Sequence, residues 1–238
     1  MEEMLQEIER MFQEGRQDEV EPYLIRALQR ADEEKQYEAY AAIANQMVGF
    51  YQMTGQYNKA AEASEDLLLL LEELQQEDSE YFTMVLLNYA NGYRDNGQMK
   101  EAEENYHRCE LILNRIAGGD LAYAALYSNQ GLFCLRAERY QEAEAAFRMS
   151  NERFAAAGQE QDPHFVSNIA GIGEALYRQG DCEGALASYE KALELIRDNE
   201  GEGESYALLC RNCAAIAESM HDAVTAQSYR DKAERILA

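Results

Sequence analysis

"AERYQEAEAAF", residues 137–147, decides the fold, because the chain repeats this pattern at a fixed interval. Its relatives are TGQYNKAAEAS (54–64), DNGQMKEAEENY (95–106) and RQGDCEGALASY (178–189). The alanines they share, Ala60, Ala102, Ala143 and Ala185, lie 42, 41 and 42 residues apart. A further unit follows 41 residues on at Ala226, in MHDAVTAQSYRDKAERI, and a degenerate one precedes at Val20, in EGRQDEVEPYLIRAL. Self-similarity at a period of roughly 20–50 residues marks a solenoid or array, whose units cannot bury their apolar faces alone and so stack on one another.

Counted from each shared alanine, the units have one internal layout. Twelve residues before it stand Val48, Ala90, Gly131, Gly173 and Ala214, and four after it stand Tyr106, Phe147 and Tyr189 in the middle three units. Small residues let two helices approach closely, and the aromatics fill the space towards the next pair. Five before the alanine stand Gly55, Gly97 and Gly180, with Gly15 in the same place before Val20, where a chain leaving a helix can take a positive φ and turn back. The layout predicts an all-α protein of about six antiparallel helix pairs: a degenerate pair over 1–35, then repeats near 37–77, 79–117, 120–158, 162–199 and 203–238, forming one domain over 1–238.

With GQYNKAAE and ALYRQGDCEGALASYEKALEL on the page, the chain resembles the tetratricopeptide repeat (TPR) family: a small residue in the first helix, Gly-x-Tyr-x-x-Ala at the turn, then an aromatic and a small residue in the second. The resemblance covers roughly residues 3–238 and implies a TPR α-solenoid, a right-handed superhelix whose first helices line a concave groove. The period of 41 to 42 exceeds the usual ~34, and in this it is similar to the long-repeat varieties in kinesin light chains and bacterial TPR regulators.

Composition fits long helices. The 238 residues include only two prolines and no tryptophan, while Ala, Glu, Leu and Gln recur throughout. With 45 acidic against 21 basic side chains the formal charge is -24, which disfavours nucleic acid and anionic membranes as partners. The opening MEEMLQEIERMF lacks the basic and apolar regions of a secretory signal, and Leu67–Leu71 is far shorter than the roughly 20 residues a span requires. Five scattered cysteines suit a reducing compartment, so a soluble, cytoplasmic protein is expected.

Catalytic chemistry is not expected, and neither is a metal or cofactor. His107, His164 and His221 fall at unrelated repeat positions, and Cys210-x-x-Cys213 occupies places held elsewhere by Ile169 and Ile172, so packing explains it better than zinc. Acidic runs such as EELQQEDSE lack the spacing of a calcium loop.

Polar residues on the first helices point instead to binding. Fourteen before the shared alanine stand Gln46, Asn88, Asn129, Gly171 and Asn212, and the resemblance implies that asparagine here bonds the backbone of an extended peptide. An amide offers donor and acceptor together, so a row of amides can hold a strand whatever its side chains. Arg94, Arg136, Arg178 and Arg211 concentrate on the same helices, where guanidinium forks suit carboxylates. The expected site is therefore Asn88, Asn91, Asn129 and Asn212 with these four arginines, and the expected partner is an extended, acidic or neutral protein segment. The lysines and arginines that clamp a terminal carboxylate in chaperone-binding relatives are absent, their places taken by Leu87, Ser128, Ser167 and Gly171. An adaptor is the favoured reading, and a sensor of short signalling peptides is its rival. Ile236 and Leu237, in the last helix, suggest a homodimer through the C-terminal pair.

Overall fold

A computed structural model describes residues 2–199 and 201–237, and the described residues are all-α, without a strand. Its contacts cluster in two units, Met1–Ala117 and Gly118–Ala238. Unit 1 holds α1 (Glu2–Gln13), α2 (Val20–Glu33), α3 (Tyr37–Met53), α4 (Tyr57–Glu73), α5 (Glu80–Asp95) and α6 (Met99–Ile116). Unit 2 holds α7 (Asp120–Arg136), α8 (Tyr140–Ala156), α9 (Pro163–Gln179), α10 (Cys182–Asn199), α11 (Glu204–Ser219) and α12 (Ala223–Leu237). Three helix pairs thus make up each unit, and the six pairs follow the period of the sequence.

Among the described residues, every connection between successive helices contains one left-handed residue. In six of the eleven it is a glycine: Gly15, Gly55, Gly97, Gly158, Gly180 and Gly201. In the other five it is Lys35, Gln75, Ala117, Glu138 or His221. The same bonds close glycine and non-glycine turns alike. Gly55 N–H donates to Gln52 C=O and Gln56 N–H to Tyr51 C=O; at the non-glycine turn, Glu138 N–H donates to Leu135 C=O and Arg139 N–H to Cys134 C=O. The fold therefore imposes the conformation whether or not the residue favours it, and at Glu138 (φ 59°) a Cβ pays a steric cost on the order of 1–2 kcal/mol. Glu138→Gly is expected to raise stability by roughly 0.5–1 kcal/mol, the relief of strain outweighing the added freedom of the unfolded chain. Urea titration checks this, and an unchanged or lower midpoint would show that the turn carries no strain.

Packing follows the register read from the repeats. Ala60, Ala102, Ala143, Ala185 and Ala226 are all buried where second helix meets first. In unit 1, Val20 and Leu24 of α2 pack with Ile43 and Met47 of α3, while Phe82, Leu86, Tyr106 and Leu113 fill the α5–α6 pair. In unit 2, Ile169, Tyr189, Ala207, Cys210, Cys213 and Tyr229 share one cluster. Ile236 packs against that cluster, so the apolar end expected to drive self-association is reduced to Leu237, 44% exposed, and Val224 on the outer face of α12.

Candidate interaction surface

The expected binding residues divide by what their side chains already hold. In unit 1, Asn88 Nδ2 donates to Asn45 Oδ1 at 3.2 Å, linking α5 to α3, and the Asn88 carbonyl accepts from Gln52 Nε2 at 2.8 Å. Asn91 and Arg94 are tied into the α5–α6 pair. Tyr106 Oη donates to Asn91 Oδ1 at 2.7 Å, Arg94 Nη1 donates to the same oxygen at 3.2 Å, and Arg94 Nε donates to Asp95 at 2.9 Å. Burial disfavours the Arg94 charge, yet Asp95 and Tyr106 outweigh it and raise the guanidinium above its usual range.

Arg94 differs from the other arginines because of its register. It lies eight residues before the shared alanine, whereas Arg136 and Arg178 lie seven before theirs. One residue turns a helix by about 100°. Arg94 therefore occupies the half-buried slot of Leu135 and Tyr177, and its side chain is only 12% exposed.

Unit 2 carries the more open surface. Arg136, Arg178 and Arg211 are exposed on α7, α9 and α11. Arg178 pairs with Glu174 at 2.8 Å and lies over the Tyr140 ring, 5.8 Å from its centroid. Asn129 is half-buried and donates to Ala125 C=O of its own helix at 2.9 Å. Asn212 follows Tyr189, the aromatic four residues after the preceding pair's alanine, whose hydroxyl donates to Glu174 Oε2 at 3.4 Å. Where that aromatic is Phe147, with no hydroxyl to satisfy, the residue fourteen before the next alanine is Gly171, and a Cβ there would meet Phe147 Cε2 at 2.6 Å. The Phe147 ring thus accounts for the glycine at this place in α9.

Sequence reasoning missed one polar cluster. Asn168, 1% exposed, accepts from Ser128 Oγ at 2.7 Å and donates to Ser150 Oγ at 2.8 Å and Asn151 Oδ1 at 2.9 Å, while Ser150 Oγ donates to Ala124 C=O. A signal was present: seventeen before the shared alanine, Asn168 stands where the other units have Ile43, Val85, Leu126 and Leu209. A lone polar residue in an apolar column of a repeat is a buried network or a site.

Among the described residues no three His, Cys, Asp or Glu side chains are placed to hold a metal ion, and no helix is long and apolar enough to cross a membrane. Burial pushes the Cys213 thiol up to about 12 and raises Cys210 as well, which keeps both protonated at neutral pH.

Residues 81–154 match the family described as tetratricopeptide repeat. That stretch carries tetratricopeptide repeats. No curated protein matches it at the level of sequence. Among solved structures it is similar to BtubC (BKLC) from P. vanneervenii, at 20% identity and a TM-score of 0.79, over 90% of this chain and 88% of that one. It is also similar to a Podosopora anserina protein of nearly identical TPR-like repeats, at 17% identity and a TM-score of 0.68, over 82% and 93% of the two chains. A third likeness, to the APC/C hetero-tetramer Cut9–Hcn1, has 12% identity and a TM-score of 0.65 and covers 95% of this chain but 38% of the other. These likenesses concern the repeat architecture, whose general role is protein–protein interaction.

Proposed function

We propose that the protein is a non-enzymatic adaptor that binds an extended, acidic or neutral peptide segment along the exposed face of its first helices, in unit 2 those of α7, α9 and α11. The observation that carries this reading is the make-up of that face. Leu132 (45% exposed) and Leu208 (58%) stand out from it alongside Arg136, Arg178 and Arg211. On a chain of charge -24, exposed leucines beside guanidinium groups form a surface of mixed apolar and cationic character, suited to a segment of mixed apolar and anionic side chains. Asn129 and Asn212 offer amides to its backbone, Asn129 exchanging its bond to Ala125 for one to the strand.

An immobilised peptide array of varied charge tests the reading. Acidic and neutral apolar peptides should be retained, and retention should fall as salt is raised. A charge-assisted hydrogen bond is worth roughly 1.5–3 kcal/mol, so Arg136→Glu with Arg178→Glu should weaken capture by about tenfold or more. Retention of basic peptides alone, unaffected by these reversals, would move the binding surface to the acidic second helices.

A further inference from the structure

Between the second helices α8 and α10 of unit 2 lies a groove of ≈ 520 Å³, lined by none of the residues of the peptide-binding reading. Phe165, Ile169 and Ile172 of α9 form its apolar floor. Arg148 of α8 stands on one side, and Ser188 and Lys191 of α10 stand on the other.

The chain itself shows what such a groove can hold. One pair later the places of Phe165, Ile169 and Ile172 are taken by Tyr206, Cys210 and Cys213, and that of Ser188 by Tyr229. Tyr229 is 8% exposed and shares a core cluster with those three residues. Its hydroxyl donates to Glu190 Oε1 of α10 at 2.6 Å, and Lys232 Nζ lies 4.9 Å from the centroid of its ring. A tyrosine ring thus fills the space between α10 and α12, with a lysine on its face and a polar group at its oxygen.

Between α8 and α10 the same surroundings lack the ring. Lys191 occupies the place of Lys232, and Arg148 that of Glu190. Ser188, where the tyrosine would begin, is small, and its hydroxyl donates to Gly184 C=O of its own helix at 2.9 Å. Glu144 holds Arg148 through Nε and Nη2, each at 2.9 Å, which leaves Nη1 to donate into the groove. With a guanidinium in place of the Glu190 carboxylate, the ring oxygen must accept a hydrogen bond where that of Tyr229 donates one, and a phenol does either. Glu152 also lines the α8 side, so the groove is not a cationic patch suited to a free anion. A neutral ring, offering its negative π-face to Lys191 and its oxygen to Arg148, complements both charges.

We propose that the α8–α10 groove is a second docking site, which takes the side chain of a tyrosine carried by a partner polypeptide. The ring rests on Ile169 and Ile172 with its face towards Lys191, and its oxygen accepts from Arg148. Burial of the ring supplies most of the attraction, and the two cations select an aromatic side chain over an aliphatic one. The site lies on the second helices and stands or falls independently of the face formed by α7, α9 and α11.

The test uses NMR of the isotopically labelled full chain, with a blocked pentapeptide that carries one tyrosine between pairs of glycines as the probe. Phenylalanine and serine replace the tyrosine in two controls. The tyrosine peptide should shift the amide signals of Ile169, Ile172, Ser188 and Lys191 to saturation, and the serine peptide should leave them unmoved. The phenylalanine peptide, which lacks the oxygen for Arg148, should bind about three- to tenfold less tightly. Ser188→Tyr should supply the ring from within, as Tyr229 does one pair later, and abolish the shifts without lowering the melting temperature. Lys191→Met should weaken binding about two- to fivefold, the contribution of a cation–π contact at an exposed site. Tyrosine and serine peptides that act alike, or a folded Ser188→Tyr protein that still binds, would overturn the proposal. Should Ser188→Tyr fail to fold, a Lys191→Met protein with wild-type affinity would overturn it equally.

Discussion

Replacing Gly131 with leucine is expected to cost roughly 3 kcal/mol or more, at the upper end of what overpacking a helix contact costs. A Cβ alone at Gly131 would sit 2.5 Å from Cε1 of Phe147, far inside van der Waals contact. A ring tip can often swing away from such a clash, but this one cannot. Phe147 is 1% exposed, and its opposite edge already faces Gly171, where a Cβ would stand 2.6 Å from Cε2. The ring of α8 is held edge-on between a glycine of α7 and a glycine of α9, so relief on one side becomes collision on the other. Removing the ring is costly too: Phe147→Ala should lose about 3–5 kcal/mol through lost burial and the cavity left behind. The two effects are coupled. Gly131→Ala should be destabilising in the wild-type background and much less so beside Phe147→Leu, with an interaction energy of about 1 kcal/mol or more between contacting sites. Urea titrations of the four proteins measure it, and strictly additive changes would show that Phe147 has room to move.

Gly131 and Gly171 also mark how far the sequence could be read. The helices and their turns were legible because a 41- to 42-residue period repeats the same packing instruction, and each copy corrects the ambiguity of the others. Gly131 fell in the small-residue column and was legible for that reason. Gly171 did not: its column holds amides elsewhere, and only the ring of Phe147 explains why no side chain stands there. The binding face was harder to read, since a polar residue on a first helix can serve a ligand, the neighbouring pair or its own backbone. Arg94 illustrates the difficulty, because a shift of one residue relative to Arg136 turns it from the exposed face into a bonded network with Asn91, Asp95 and Tyr106. Composition groups such residues together; register separates them.

Asn168 provides the second large effect, because it is the hub of a buried polar network that joins α7, α8 and α9. Asn168→Leu restores the apolar residue of the other units, yet it should destabilise by roughly 2–4 kcal/mol. The loss arises from the partners left behind: the Ser128 hydroxyl has no acceptor, and Asn151 Oδ1 and Ser150 Oγ lose their donor, at about 1–3 kcal/mol for each buried group left unsatisfied. Removing a second partner should therefore help. Ser128→Ala added to Asn168→Leu is expected to recover 1 kcal/mol or so, because replacing both ends of a hydrogen bond by apolar groups approaches neutrality. Asn168→Asp separates charge from shape, since a carboxylate can still accept from Ser128 but cannot donate to Ser150 or Asn151 and brings a buried charge. Burial would hold that carboxyl above its unfolded value of about 3.9. The deficit of this variant relative to wild type is then full above the folded-state value and shrinks as the pH falls through it, because the protonated acid regains a donor and sheds its charge. A deficit independent of pH, or an Asn168→Leu protein as stable as wild type, would mean that the network satisfies its members without contributing to the packing of the three helices.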